Sequence, residues 1–254
     1  MAERELKGQV ALVTGGARRI GRHIALALAS EGMDVVIHYN RSEAQARELQ
    51  ETIQEWGCTA WTLQANFRDE GRTHRVIERA MDLAGRLDLL VNSAGTFDAE
   101  TVADLTYEGF EEALALNAWA PFELTRDFCE RVGQGTVINL IDSRVADYDF
   151  EHTGYILAKQ VLLKMTEMLA LEYAPHVQIN GILPGLILPP AHEDPAYLDA
   201  LAETVPLKRH GDPDDVAAAA VFLAKSTFMT GAMVYVDGGR RLKEYGHGSS
   251  YPHQ

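Results

Sequence analysis

Cysteine is scarce: Cys58 and Cys129 are the only two in 254 residues and stand far apart, so they offer neither a disulfide framework nor a zinc-ligand pair. Both read as reduced packing residues, and no metal site is expected. Long hydrophobic runs are also missing, which excludes a bilayer span. No basic leader with an apolar run and a small-residue cleavage site precedes Val10-Ala11-Leu12-Val13, so the expected address is cytoplasmic, with no membrane partner. Positive charge is in deficit, with 23 Lys and Arg against 37 Asp and Glu and a formal net charge of −14. That balance argues against a nucleic-acid partner, because phosphate-backbone affinity needs a basic surface. An anionic ligand must therefore be held by a local positive island. Arg18, Arg19, Arg22, His23 and Arg41 form a candidate; the alternative is an exposed helix face carrying a few arginines.

Repeats, low-complexity stretches and Pro/Ser-rich linkers are absent, so residues 1–254 are expected to form one domain. Apolar residues make up 46% and charged residues 24%, the balance of a soluble globular chain. Near-continuous hydrophobic runs predict buried strands at Val10–Thr14, Asp34–His38, Ala60–Gln64, Leu87–Asn92, Gly135–Ile141, Val177–Ile182 and Met233–Val236. Amphipathic segments between them predict helices at Ile20–Glu31, Ser42–Trp56, Arg72–Gly85, Thr106–Val132, Thr153–Tyr173 and Asp212–Ala224. Strand and helix in alternation imply an α/β fold: a doubly wound parallel sheet of about seven strands, Rossmann-type, with helices on both faces. Such sheets bind ligands beyond the carboxyl ends of their strands, where every motif below falls.

The first strand runs into Thr14-Gly15-Gly16-Ala17-Arg18-Arg19-Ile20-Gly21 and then a helix, a context that lets backbone approach a pyrophosphate at a helix N-terminus. The second strand ends in His38-Tyr39-Asn40-Arg41-Ser42. An NAD site would place a carboxylate there for the ribose 2′-hydroxyl; Arg41 and Ser42 suit a 2′-phosphate instead, so NADPH is the expected cofactor. Ser42 can equally cap the next helix, and His38 can equally be a packed strand-end imidazole. The third strand is followed by Asn66-Phe67, where Asn66 can accept a hydrogen bond, and the fourth by Asn92-Ser93-Ala94-Gly95, whose small residues permit close contact. Tyr155-Ile156-Leu157-Ala158-Lys159 puts a phenol and an ammonium on one helix face a turn apart, where the cation is expected to lower the phenol pKa.

Together these motifs resemble the short-chain dehydrogenase/reductases over roughly residues 8–242, including Asn180-Gly181-Ile182-Leu183-Pro184-Gly185-Leu186 and Val236-Asp237-Gly238-Gly239 near the end. The resemblance implies cofactor contacts from Gly15, Arg18, Arg19, Ile20, Gly21, His38, Tyr39, Asn40, Arg41, Ser42, Asn66, Phe67, Asn92, Ser93, Ala94, Tyr155, Lys159, Pro184, Gly185 and Leu186. It further implies catalysis by Tyr155 and Lys159, a water held by Asn117, a homotetramer built through the long helices, a substrate lid over 186–210, and a polar tail over 243–254.

Two departures narrow the likeness. Arg19 stands where the family's turn has its middle glycine, and the position thirteen residues before Tyr155, a serine in most members, is Asp142. Both match the pteridine reductases and the related dihydromonapterin and dihydrofolate reductases, as does Phe97, which there stacks a pterin. That likeness implies a pterin-like small-molecule substrate bound by Arg19, Gly95, Phe97, Asp142 and Tyr155. Hydride would reach a C=N bond while Tyr155, Lys159 and Asp142 manage the proton, a protonated carboxyl being able to pass one on. Other readings stay open: a one-residue slip that restores Ser143, Asp142 as a turn cap, Phe97 as a packed loop residue, a carbonyl reductase acting on a 3-oxoacyl or sugar substrate, and a non-catalytic NADP-binding module.

Overall fold

Side chains alternate across a strand, so a strand buried on both faces must be apolar at every position. In β1 (Val10–Thr14) Ala11 and Val13 face one layer and Val10 and Leu12 the other. The computed structural model of the chain describes residues 3–68, 73–146, 149–190, 194 and 196–245. Among the described residues seven strands form one sheet: β1, β2 (Asp34–Tyr39), β3 (Ala60–Gln64), β4 (Leu89–Asn92), β5 (Gly135–Leu140), β6 (Val177–Pro184) and β7 (Met233–Val236). Their order is β3-β2-β1-β4-β5-β6-β7 and every pairing is parallel. The order reverses between β1 and β4, which opens a crevice at their carboxyl ends.

Helices α1 (Arg19–Ser30) and α2 (Glu43–Glu55) cover one face, through Ile24, Leu28, Leu49 and Ile53. Helix α3 (Val76–Ala84) covers the other, through Val76 and Ile77. It ends at Gly85, whose φ of +78° is the left-handed closure glycine tolerates. Further along the chain come α4 (Tyr107–Leu114), α5 (Ala120–Val132), α6 (Thr153–Glu172), α7 (Ala196–Ala202), α8 (Pro213–Lys225) and α9 (Arg240–Tyr245). Helix α8 opens with a reciprocal capping box between Asp212 and Asp215 and has Pro213 in its first turn.

The expected helix Thr106–Val132 is interrupted. A π turn over Ala115–Trp119 separates α4 from α5, and Asn117 sits in it, 1% exposed. Pro121 is the physical reason: it has no N–H to return to the Asn117 carbonyl four residues earlier, so the α pattern lapses there. Helices α7 and α9 were not anticipated. Of the expected lid, residues 191–193 and 195 lie outside the described residues, as do 246–254 of the expected tail. Among the described residues no helix is long and apolar enough to cross a membrane.

Candidate active site

The turn from β1 into α1 is folded tightly against the turn after β4. A Cβ on Gly15, whose φ is +62°, would stand 3.0 Å from Ala94 Cα, and one on Gly21 would stand 2.4 Å from the Gly15 carbonyl oxygen. Thr14 fastens the two turns, its Oγ1 accepting from the amides of Ser93 and Ala94 at 3.0 and 3.1 Å. The crevice is thus walled by backbone, a cradle that side chains would fill, at the N-terminus of a twelve-residue helix.

His38 works from behind this cradle. The Gly15 amide donates to its Nδ1 at 3.1 Å, which leaves the proton on Nε2, and Nε2 donates to the Ala65 carbonyl at 3.1 Å. The imidazole is 2% exposed and stacks on Phe67 at 4.3 Å with planes 2° apart. Burial brings its pKa down to about 4, against a small opposing pull from the Ala65 bond, so the ring is neutral. The His38 ring therefore supports the turn from inside, with Phe67 half-buried against it. The Asn92 amide is likewise turned inward, donating to Asn139 Oδ1 at 2.8 Å and Thr125 Oγ1 at 3.1 Å.

Among the described residues, the end of β2 runs Tyr39-Asn40-Arg41-Ser42, without a carboxylate. Ser42 takes the N-cap position of α2, but its hydroxyl makes no cap bond. Tyr39 is half-buried, and Asn40 donates to Asn66 Oδ1 at 3.3 Å. The expected positive island is smaller than its arginine count suggests. Arg22 pairs with Glu48 at 3.2 Å and His23 with Asp214 at 2.6 Å, while Arg18 and Arg41 are exposed at the crevice rim. Arg19 holds a left-handed φ of +52° and donates to the Pro189 carbonyl at 2.6 Å, bridging the glycine turn to the segment after β6. In that segment Gly185 packs so closely on Asp237 that a Cβ would come within 2.6 Å of its Cα. Pro184 ends β6, and Leu186 is buried among Leu198 and Val205.

The reactive cluster lies beyond β4 and β5. Tyr155 Oη donates to Asp142 Oδ2 at 3.0 Å. Asp142 Oδ1 accepts the Arg144 amide at 2.8 Å, so the same carboxylate caps a turn with one oxygen and meets the phenol with the other. Ser143 next door is buried within a short 3₁₀ turn over Ser143–Ala146. Lys159, 5% exposed, donates from Nζ to the Leu140 carbonyl at 2.8 Å, and its Nζ is 5.8 Å from the Tyr155 ring centre. Asn117 accepts from the Thr96 amide at 3.1 Å and donates to the Ala113 carbonyl at 3.1 Å. A Cβ on Gly95 would fall 2.7 Å from Asn117 Oδ1 and 3.9 Å from Lys159 Nζ, so these three meet at one point.

The electrostatics differ from expectation in one respect. Burial and the adjoining Asp142 carboxylate push the Tyr155 phenol well above its ordinary pKa, with Arg144 pulling the other way. The cation that opposes this rise is Arg144, while Lys159 points at the Leu140 carbonyl. Burial brings Lys159 down to about 8 despite the opposing pull of Asp142.

Phe97 stands edge-on to Tyr155 at 4.9 Å and 84°. It stacks on His152 at 3.8 Å, and the Arg144 guanidinium lies 4.7 Å from its ring centre. Arg144 and His152 both pair with Asp149. None of Arg144, Asp149 and His152 was singled out from the sequence, although a base two residues after an unusual acid was a usable signal. A cavity of about 240 Å³ opens beside Tyr155, bounded by Asp98, Glu100, Glu112, Asn117 and Gly154. A larger one, about 540 Å³, lies between Leu186, Leu207, His210 and Asp237 and touches none of the catalytic groups, so its size carries no argument about the chemistry.

Comparison with known proteins places this geometry. Residues 15–241 match the profile of the family described as enoyl-(acyl carrier protein) reductase. An uncharacterised oxidoreductase of Mycobacterium tuberculosis is 36% identical over 246 residues, 92% of each chain. A protein named as ketoacyl reductase 2 of the granaticin polyketide synthase, from Streptomyces violaceoruber, is 32% identical over 95% of this chain and 100% of its own. Among solved structures, the FolM alternative dihydrofolate reductase 1 of Brucella canis, complexed with NADP, superposes with a TM-score of 0.89 at 32% identity, covering 94% of this chain and 96% of its own.

Proposed function

The chain belongs to the short-chain dehydrogenase/reductase family, and from that premise we propose that it reduces the C=N bond of a dihydropterin-like substrate. It is an NADP(H)-dependent oxidoreductase. When bound, NADPH supplies the hydride. The glycine cradle at Gly15 and Gly21 would hold its pyrophosphate, and Arg41 with the uncapped Ser42 hydroxyl its 2′-phosphate. Lys159 would orient the nicotinamide ribose, and the small residues Ser93, Ala94 and Gly95 would leave room beside it.

The observation that carries the substrate reading is the Tyr155–Asp142 hydrogen bond at 3.0 Å. A ketone oxygen is itself an acceptor, so a carbonyl reductase wants a hydroxyl donor at this place; a carboxylate there would repel it. A pterin presents ring N–H and amino donors, which a carboxylate accepts. Tyr155 passes its proton to the ring nitrogen next to the carbon that receives hydride, and Asp142 orients the phenol and the heterocycle. Phe97, 36% exposed and set edge-on to Tyr155, stands beside the reacting groups where a heterocycle would lie. The Brucella reductase, a dihydrofolate reductase by name and 32% identical, supports the same reading.

The chain is proposed to work as one domain in the cytoplasm and to assemble as a homotetramer. Leu157, Met168 and Leu171 lie along one exposed face of α6, which supports association there.

A second reading, reduction of a 3-oxoacyl carbonyl, is favoured by the ketoacyl reductase relative. Purified protein assayed with NADPH against dihydrobiopterin, dihydromonapterin and a 3-oxoacyl thioester separates them. Pterin-dependent NADPH oxidation that Asp142→Ser cripples is expected. Turnover of the thioester alone, unchanged or improved by Asp142→Ser, would overturn the pterin assignment.

A further inference from the structure

Putting an acid where a hydroxyl would do creates a difficulty that the site must solve. When Tyr155 gives its proton away, its O–H bond breaks as an N–H or O–H bond forms on the substrate, and a phenolate is left 3.0 Å from the Asp142 carboxylate. Two anions at that distance, partly buried, repel strongly. Left uncompensated, the carboxylate makes the phenol a poorer acid at the moment its acidity is needed.

Arg144 is placed to compensate. Its Nη2 stands 3.1 Å from Asp142 Oδ2, the oxygen that also accepts the phenol, and its Nε stands 3.3 Å from Oδ1. The Arg144 backbone amide closes on Oδ1 at 2.8 Å, so three donors of one residue fix one carboxylate in position and rotation. The far arm of the guanidinium, Nη1, is anchored on Asp149 Oδ2, and Asp149 is itself fixed by the amides of Glu151 and His152 at 2.9 and 3.0 Å. The side chains of Arg144, Asp142 and Asp149 are 28%, 14% and 10% exposed, so solvent screens the arrangement little. Burial works against the guanidinium's charge, but Asp142, Tyr155 and Asp149 more than offset it and hold Arg144 protonated. The same cation draws the phenol back from the high pKa that burial and Asp142 impose.

We propose that Arg144 is a positioning residue for proton transfer: it clamps Asp142 as an oriented carboxylate and supplies the counter-charge that lets Tyr155 give up its proton beside an acid. Asp142 and Arg144 thus act as one unit in the place of a serine hydroxyl. Asp142 is thereby an acceptor throughout, and the transferred proton comes from Tyr155. The proposal rests on the reading of Tyr155 as proton donor of a reductase, but not on which substrate is reduced.

The test is a double-substitution cycle with Arg144→Gln, Arg144→Lys and Asp142→Ser, run on whichever of a dihydropterin or a 3-oxoacyl thioester the protein turns over. Active-site concentration is fixed by NADPH fluorescence titration. Arg144→Gln is expected to lower kcat about tenfold to a hundredfold, within the range of a proton-transfer effect, with NADPH Kd unchanged and a larger solvent deuterium isotope effect on kcat. Arg144→Lys, keeping the charge but not the fork, should recover part of the loss. In the Asp142→Ser background the same Arg144 substitutions should cost less than about threefold, because the charge they balance is gone. If Arg144→Gln does not fold, the Arg144→Lys cycle decides alone. Unchanged kcat, an unchanged isotope effect alongside a lower kcat, or an equal loss in both backgrounds would overturn the proposal. Turnover of the thioester only, with the coupling intact, sinks the pterin reading and leaves the clamp standing.

Discussion

The amide of Gly15 donates to Nδ1 of His38 across 3.1 Å, so the glycine that opens the cofactor cradle is held by a neutral imidazole two percent exposed to solvent. Protonating that ring would put a donor against a donor and a charge into the core. Its folded pKa is lowered by burial to about 4 from an ordinary 6.5. The stability it contributes is complete above pH 6.5 and drains away as pH falls toward 4, because the unfolded chain takes up a proton that the folded one refuses. The difference amounts to about 3 kcal/mol at most. Chemical unfolding from pH 7.5 to 4.5 should therefore show a steeper loss in the wild type than in His38→Asn, which keeps an acceptor for Gly15 but does not titrate. Parallel curves would exclude His38 as the sensor.

That hidden histidine also shows where legibility in the sequence ended. The sheet was readable because strands covered on both faces are apolar at every position, as Val10 to Val13 are, and the Tyr155–Lys159 spacing survives translation because a helix fixes it locally. The direction in which His38 points depends on which of two neighbouring strands encloses it, which no local pattern carries. The π turn at Asn117 was missed because Pro121 falls inside a long amphipathic stretch whose period hides a single inserted residue. Arg144 was passed over because adjacency in sequence does not say whether a side chain folds back; the 3₁₀ turn at Ser143 makes it do so. Arg22 and His23 look like part of a phosphate island until Glu48 and Asp214, distant in the chain, are seen to claim them.

Lys159 sets the alkaline limit. Burial lowers its pKa to about 8, so the ammonium that orients the ribose is charged below that value and lost above it. In the reductive direction kcat/KM should decline as pH rises through about 8. Asp142 opposes the lowering, so Asp142→Asn should move the decline to lower pH. A pH profile flat to 9.5, or one shifted upward by Asp142→Asn, contradicts this assignment.

Cofactor choice should follow the end of β2. Arg41 is exposed at the crevice rim and Ser42 keeps its hydroxyl uncommitted. A charge-assisted bond to a phosphate is worth about 1.5–3 kcal/mol, which is roughly tenfold to a hundredfold in affinity. Arg41→Asp should raise the KM for NADPH by at least about tenfold while lowering that for NADH, since the new carboxylate can accept from a ribose hydroxyl. Steady-state kinetics with both cofactors decide it, and an unaltered preference would move the 2′-phosphate contact elsewhere.

Arg19 separates stability from binding. A non-glycine residue at φ +52° costs about 1 kcal/mol in backbone strain, which the turn accepts in order to place a guanidinium between the cradle and the Pro189 carbonyl. Arg19→Gly removes the strain but also the donor, and glycine's greater freedom in the unfolded chain takes back part of the gain. Tm should therefore hold or rise by about 2 °C, while the KM for NADPH increases severalfold and the segment after β6 becomes more open to protease. Arg19→Lys keeps the strain and one donor, so it should bind NADPH better than the glycine variant without being more stable. If instead Arg19→Gly lowered Tm while leaving NADPH binding intact, the arginine would be a structural tie to Pro189 and nothing more, and the left-handed residue would serve the lid rather than the cofactor.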